Sequence, residues 1–90
     1  ARFEWDPEKG EENQKKHGVS FQEASSIFGD PLAITFDDPD HSVNEARQLT
    51  FGSSNHHRLL VVVHTQRGKI TRIISARIAT RQEKKIYEEG

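Results

Sequence analysis

The stretch Leu59-Leu-Val-Val-Val-His-Thr-Gln-Arg-Gly-Lys-Ile-Thr-Arg-Ile-Ile-Ser-Ala-Arg77 decides the fold. Its apolar runs, Leu59–Val63 and Ile73–Ile74, flank a turn-like Gln66-Arg67-Gly68-Lys69. A leucine pair followed by three valines suits a buried strand, because β-branched side chains pack well on a pleated surface. Beyond the turn, strict alternation puts Ile70, Arg72, Ile74 and Ala76 on one face and Thr71, Ile73, Ser75 and Arg77 on the other. The stretch therefore reads as a β-hairpin at the centre of a sheet. Its first strand is apolar on both faces, as a central strand must be. The rest of the chain has to cover this hairpin or extend it.

Working outward toward the N-terminus, Glu45-Ala-Arg-Gln-Leu-Thr-Phe51 alternates as a strand, with Gly52-Ser-Ser-Asn55 as the turn into the hairpin. Pro31-Leu-Ala-Ile-Thr-Phe36 is a further strand with Leu32, Ile34 and Phe36 on one face. Asp37-Asp-Pro-Asp-His41 between these strands is turn chemistry rather than a cation loop, since the glycine and terminal glutamate of an EF-hand loop are missing. Two helices precede the strands. Asp6-Pro7-Glu8 starts the first, with Asp6 as N-cap and Pro7 in the first turn, and Gly18 ends it in a left-handed conformation. That helix is almost free of large apolar residues, so it lies on the surface and touches the core through Asn13 and its ends. Lys9, Asn13, Lys16 and His17 share one of its faces. Ser20 and Glu23 form a capping box for a second helix whose Phe21, Ala24, Ile27 and Phe28 pack on the sheet, and Gly29 closes it. Phe3 and Trp5, in a short strand at the start, face the core. Thr80 and Glu83 form another capping box, which opens a C-terminal helix containing Ile86 and Tyr87. The expected order is β-α-α-β-β-β-β-α, an α+β domain spanning residues 1–90 with a mostly antiparallel sheet.

Composition narrows the chemistry. Ninety residues with 32% apolar and 30% charged side chains make one small domain with a modest core, which a dimer or an obligate partner would supplement. The absence of cysteine removes disulfides, thiolate nucleophiles and cysteine zinc sites. No run approaches membrane-spanning length, and no hydrophobic block opens the chain, which fits a cytoplasmic protein with no membrane partner. Residues 1–46 carry four basic against eleven acidic side chains, a net −7, and residues 47–90 carry nine against three, a net +6. The basic half suits an anionic partner, while the near-neutral total argues against gripping long duplex DNA by charge alone. There is no phosphate-binding glycine loop, no catalytic serine signature and no metal spacing, so neither cofactor nor metal is expected. Arginines over a sheet suit a phosphate, because a guanidinium binds its oxygens in pairs and steadies transition-state charge. RNA cleavage without a metal needs little more than that cation, a base and an acid.

Phe3-Glu4-Trp5-Asp6, Lys9, Asn13, Lys16-His17-Gly18-Val19-Ser20-Phe21, Glu23-Ala24, Phe28-Gly29-Asp30-Pro31, His41-Ser42, Glu45, Arg47, Gly52, Arg72-Ile73-Ile74-Ser75-Ala76-Arg77, Arg81, Glu83 and Tyr87-Glu88 together resemble the BrnT toxins of type II toxin–antitoxin systems. The resemblance covers essentially the whole chain. It implies a RelE-like fold and a small ribonuclease that arrests translation. It also implies a cognate BrnA-like antitoxin with a ribbon-helix-helix type domain, through which operator DNA is reached. Carried onto this chain, it marks Arg77, Arg47, Glu45, His17 and Arg81 as catalytic candidates and Lys16 and Tyr87 as substrate-binding ones. Arg77 is the first choice for the phosphate clamp. Glu45 or His17 is the base, and Tyr87 stacks on a nucleobase or bonds a phosphate. One tension stands: Glu45 and Arg47 share strand parity with the apolar Leu49 and Phe51. Leu49 and Phe51 read as buried, so reaching an open face calls for a bulge between them or an early strand end, and with neither the Glu45–Arg47 pair is structural. The competing reading is a non-catalytic antitoxin-binding corepressor; a third is a structural domain whose arginines only pair with the acidic half.

Overall fold

The computed structural model describes residues 2–38 and 45–90. Pro39, Asp40 and His41 of the acidic loop, and Ser42 with its family match, lie outside the described residues. The elements run β1 (Arg2–Glu4), α1 (Pro7–His17), α2 (Phe21–Ser26), a 3-10 turn (Ile27–Gly29), β2 (Ile34–Asp37), β3 (Arg47–Ser53), β4 (Leu59–Arg67), β5 (Ile70–Ile78) and α3 (Arg81–Glu89). The strands form one sheet in the order β1-β5-β4-β3-β2, antiparallel except for β1 on β5. The apolar strand β4 sits at its centre, as its two-sided hydrophobicity requires.

The helix ends follow their local signals. The Asp6 side chain accepts from the Glu8 amide, and Gly18 adopts φ +70. The Thr80 box is complete in both directions. The Ser20 box is only half made. Ser20 caps the Glu23 amide, but the Glu23 carboxylate turns to Arg58 and to the Ser54 hydroxyl at 2.7 Å. A charged fork outcompetes a return bond to one amide. The second helix also tightens to 3-10 geometry from Ile27. Strand β2 starts at Ile34 instead of Pro31, which leaves Leu32 in an exposed turn. Strand β3 runs on through Gly52 to Ser53.

The core lies between the sheet and the α1–α2 layer: Val19, Phe21, Ala24 and Ile27 meet Leu60, Val62, Ile73 and Ala76, with Phe3, Trp5 and Phe28 packed at the margin. Gly52 is a strand glycine for a steric reason, since a Cβ there would stand 2.9 Å from the Ile27 Cβ. Helix α1 reaches this core through one polar residue. Asn13 donates to the carbonyls of Val19 (2.9 Å) and Ala76 (2.8 Å) and accepts from the Ala76 amide (3.2 Å). Strand β1 pairs with β5 only over Ile70–Arg72, so beyond it Asn13 takes the place of a neighbouring strand.

The expected alternation along β5 fails at one residue. Val63 pairs with Ser75 but His64 pairs with Ile73, so Ile74 is the extra residue of a β-bulge. Ile73 and Ala76 consequently face the helices together, and Arg72 and Arg77, five residues apart, emerge on the same side. In a regular strand they would oppose each other.

Candidate functional site

The sheet face turned away from α1 and α2 carries Ile34 and Phe36 from β2, Arg47, Leu49 and Phe51 from β3, Val61 and Val63 from β4, and Ser75 and Arg77 from β5. Leu49 and Phe51 lie on this face too, Leu49 half-buried and Phe51 buried against Phe36. Strand β3 ends early at Arg47, leaving Glu45 outside it, while Arg47 shares the face of Leu49 by simple alternation; the bulge beside the site sits in β5 instead of between Glu45 and Leu49. Arg47 and Arg77 line one cleft of about 340 Å³ with Asp38, Leu49, Val63, Ile74 and Ser75. An apolar floor beside two guanidinium groups is a medium in which an anion is held more strongly than in open water.

Two further clefts adjoin this one around the bulged Ile74. The first, about 220 Å³, is lined by Glu45, Arg47, Arg67 and Arg72 together with Asp6, Lys9, Ile73 and Ile74. Here the Glu45 Oε2 lies 3.3 Å from the Arg67 Nη2, and Arg72 donates to Glu4 at 2.5 Å. The second, about 230 Å³, is lined by Lys16 and His17 with Lys9, Glu12, Asn13, Ile74 and Ser75. Both Lys16 and His17 are exposed at the end of α1. Five of the seven sequence candidates therefore border one contiguous surface: Arg77 and Arg47 in the central cleft, Glu45 beside Arg47, and His17 and Lys16 beside Ser75.

The other two stand apart. Arg81 is exposed at the first position of α3 and lines none of these three clefts. Tyr87 donates its hydroxyl to Asp30 Oδ2 at 2.6 Å, which pushes the phenol up to about 12. It borders a different cleft, of about 410 Å³, with Ser53, His57, Arg58 and Lys84. Burial pushes the Asp30 carboxyl up, but the Ser53 amide, the Tyr87 hydroxyl and the Leu32 amide outweigh it and hold it below its ordinary value. The contact ties α3 to the loop after the 3-10 turn, so the structure places Tyr87 as an anchor of α3. Arg67, Arg72 and Asp38 line these clefts although none of them is among the sequence candidates for the site. Arg67 was findable as the residue at the far end of β4 from Leu59, level with any extension of β3 toward Glu45.

Arg77 is the best-defined group. Its Nη1 and Nη2 donate to the two oxygens of Glu83, each at 2.7 Å, and Nη1 also reaches the Ile78 carbonyl at 3.4 Å. The Arg77 fork, with the Thr80 amide, holds the Glu83 carboxyl down at about 2 against burial. The Glu83 fork in turn raises the Arg77 pKa, so the cation persists at any physiological pH. His64 is not part of this surface: it is buried on the helix side, its Nε2 2.7 Å from Thr50 Oγ1 and its ring edge-on to Phe28. Among the described residues no three histidine, aspartate or glutamate side chains converge as a metal site, and no helix is long and apolar enough to cross a membrane.

The profile of the family described as "Ribonuclease toxin, BrnT, of type II toxin-antitoxin system" matches residues 5–83. A 1.1 Å crystal structure of the Brucella abortus ribonuclease toxin BrnT superposes with a TM-score of 0.69 at 22% identity, covering 90% of this chain and 100% of that one. That likeness establishes the fold. No curated protein matches significantly.

Proposed function

The chain belongs to the BrnT family of ribonuclease toxins of type II toxin–antitoxin systems, and on that premise we propose that it cleaves RNA without a metal ion at the arginine cleft of its open sheet face. The observation that carries this reading is the shared cleft: Arg47 and Arg77 come from non-adjacent strands yet line one space with Ser75. Two guanidinium groups there hold a phosphodiester and steady the extra charge of the pentacoordinate state. A ribose 2′-hydroxyl, deprotonated, attacks its own phosphate in line, and the 5′-oxygen leaves with a proton. Such a displacement uses a base and an acid at separate positions. Glu45, reached from the cleft through Arg47, takes the 2′-hydroxyl proton. His17, reached through Ser75, returns one to the leaving oxygen. Lys16, Arg67, Arg72 and Arg81 extend the positive surface along the RNA backbone.

The partner that switches off this activity is a cognate antitoxin of ribbon-helix-helix type, whose acidic or amphipathic segment covers the basic surface. Operator DNA is bound through that antitoxin, in a complex where this chain is present as a dimer. Growth arrest follows from RNA cleavage in the cytoplasm.

The test is cleavage of RNA by the purified, antitoxin-free chain, with and without EDTA, followed by analysis of the fragment ends. Cleavage that survives EDTA, leaves 2′,3′-cyclic phosphate and is lost in Arg77→Ala and Arg47→Ala supports the reading. Absence of cleavage, even with ribosomes present, would sink it in favour of a corepressor that binds antitoxin only.

A further inference from the structure

We propose that Glu83 is a positioning residue for the reaction: it holds Arg77 end-on so that the free side of the guanidinium is presented to the phosphate. The inference rests on the reading of Arg77 as phosphate clamp and adds the device that aims it.

The donors of Arg77 can be counted. A guanidinium has five N–H groups. Glu83 takes one from Nη1 and one from Nη2, and the Ile78 carbonyl takes the second from Nη1. The N–H of Nε and the second N–H of Nη2 remain, with no partner among the described residues. These two point the same way and form the side-on fork, the other geometry in which arginine grips two phosphate oxygens. The Arg77 side chain is still 42% exposed with Glu83 in place, whereas Glu83 is only 18% exposed. The arginine therefore keeps surface for a ligand in the cleft it lines, while the carboxylate behind it is shielded.

The aim comes from a local motif. Glu83 is the third residue of α3 and completes the capping box: its Oε1 accepts from the Thr80 amide at 2.8 Å as well as from Arg77 Nη1. Its conformation is thus set by the helix start, six residues from the arginine it holds. A free arginine on a sheet surface has several flexible torsions to order before it can act. Clamping one end removes most of that freedom in advance, which is the origin of large rate effects from positioning. The opposite role, a carboxylate occupying the phosphate position until RNA expels it, fits less well. Expulsion would break the bidentate pair and the helix cap together, at a group already screened from solvent.

The experiment measures kcat and KM for RNA cleavage by the antitoxin-free chain, at a temperature where circular dichroism shows each variant folded. Glu83→Gln keeps the oxygen that caps Thr80 but turns an amide donor toward Nη2. It should lower kcat roughly 10- to 100-fold with KM changed less than about threefold. In an Arg77→Lys background, which has no fork to orient, the same Glu83→Gln change should cost less than about twofold. Wild-type kcat in Glu83→Gln overturns the proposal, and a raised kcat identifies Glu83 as a blocking group instead. Equal losses in the wild-type and Arg77→Lys backgrounds assign it a purely structural role. Full activity in Arg77→Ala would defeat the clamp reading beneath it, an outcome separate from all of these.

Discussion

Replacing Asn13 with alanine should remove much of the domain's stability, although the residue sits on a helix that is otherwise solvated. Its amide makes three hydrogen bonds in a region where Val19 and Ala76 are fully buried. Alanine leaves two carbonyls and one amide without the partners that Asn13 supplies. At about 1 kcal/mol net per bond, the loss is about 3 kcal/mol. A domain of this length is stable by only about 5–13 kcal/mol. For so small a domain, that loss corresponds to a fall in Tm of about 12–24 °C. Urea unfolding followed by circular dichroism should show the midpoint displaced by roughly 2–3 M with an unchanged slope. Asn13→Asp sharpens the test. It keeps an acceptor for the Ala76 amide but aims a carboxylate at two carbonyls, so it should be at least as destabilising near neutral pH. The gap to wild type should narrow in acid, where the protonated carboxyl regains one donor. A loss under about 1 kcal/mol for Asn13→Ala would refute the view that this side chain stitches α1 to the uncovered edge of β5.

Three other outcomes follow from the same geometry. The Glu83 carboxyl is held at about 2 when folded against an ordinary 4.5. Its contribution is complete above pH 4.5 and is lost as pH falls through about 2, because the unfolded chain binds the proton first; Glu83→Gln should flatten that part of a stability–pH curve. Burial lowers the pKa of His64 from 6.5, so stability should decline as pH drops below 6.5 and the unfolded chain gains a proton that the native site resists. An NMR titration that places the His64 midpoint at or above 6.5 would contradict this. Gly52→Ala drives a Cβ to 2.9 Å from Ile27 Cβ and 3.2 Å from its carbonyl oxygen. Calorimetry should therefore find a loss of about 1–3 kcal/mol, and an unchanged Tm would show that the 3-10 turn yields freely.

Signals that act within a few residues were readable in the chain alone. Asp6-Pro7, Gly18 and the Thr80–Glu83 box bound their helices as expected, because a cap is satisfied inside one turn. The two-sided apolar run of β4 placed that strand at the sheet centre for an equally local reason. Glu23 shows where local reading ends. By spacing it belongs to a capping box, but Arg58, 35 residues later, arrives beside it in space and takes the carboxylate.

The amino-acid sequence by itself determined the order of elements, the central hairpin, the polar character of α1 and the family to which these motifs belong. Each of these depends on periodicity or on residues in contact along the chain. Tertiary structure decided which side chains share a face. Strand parity inverts at a single extra residue, and the bulge at Ile74 is set by how β4 and β5 align. That alignment brings Arg72 and Arg77 to the side where Arg47 already stands. It also leaves the edge of β5 that Asn13 must satisfy, because β1 ends after Glu4 and the backbone groups beyond it still require partners.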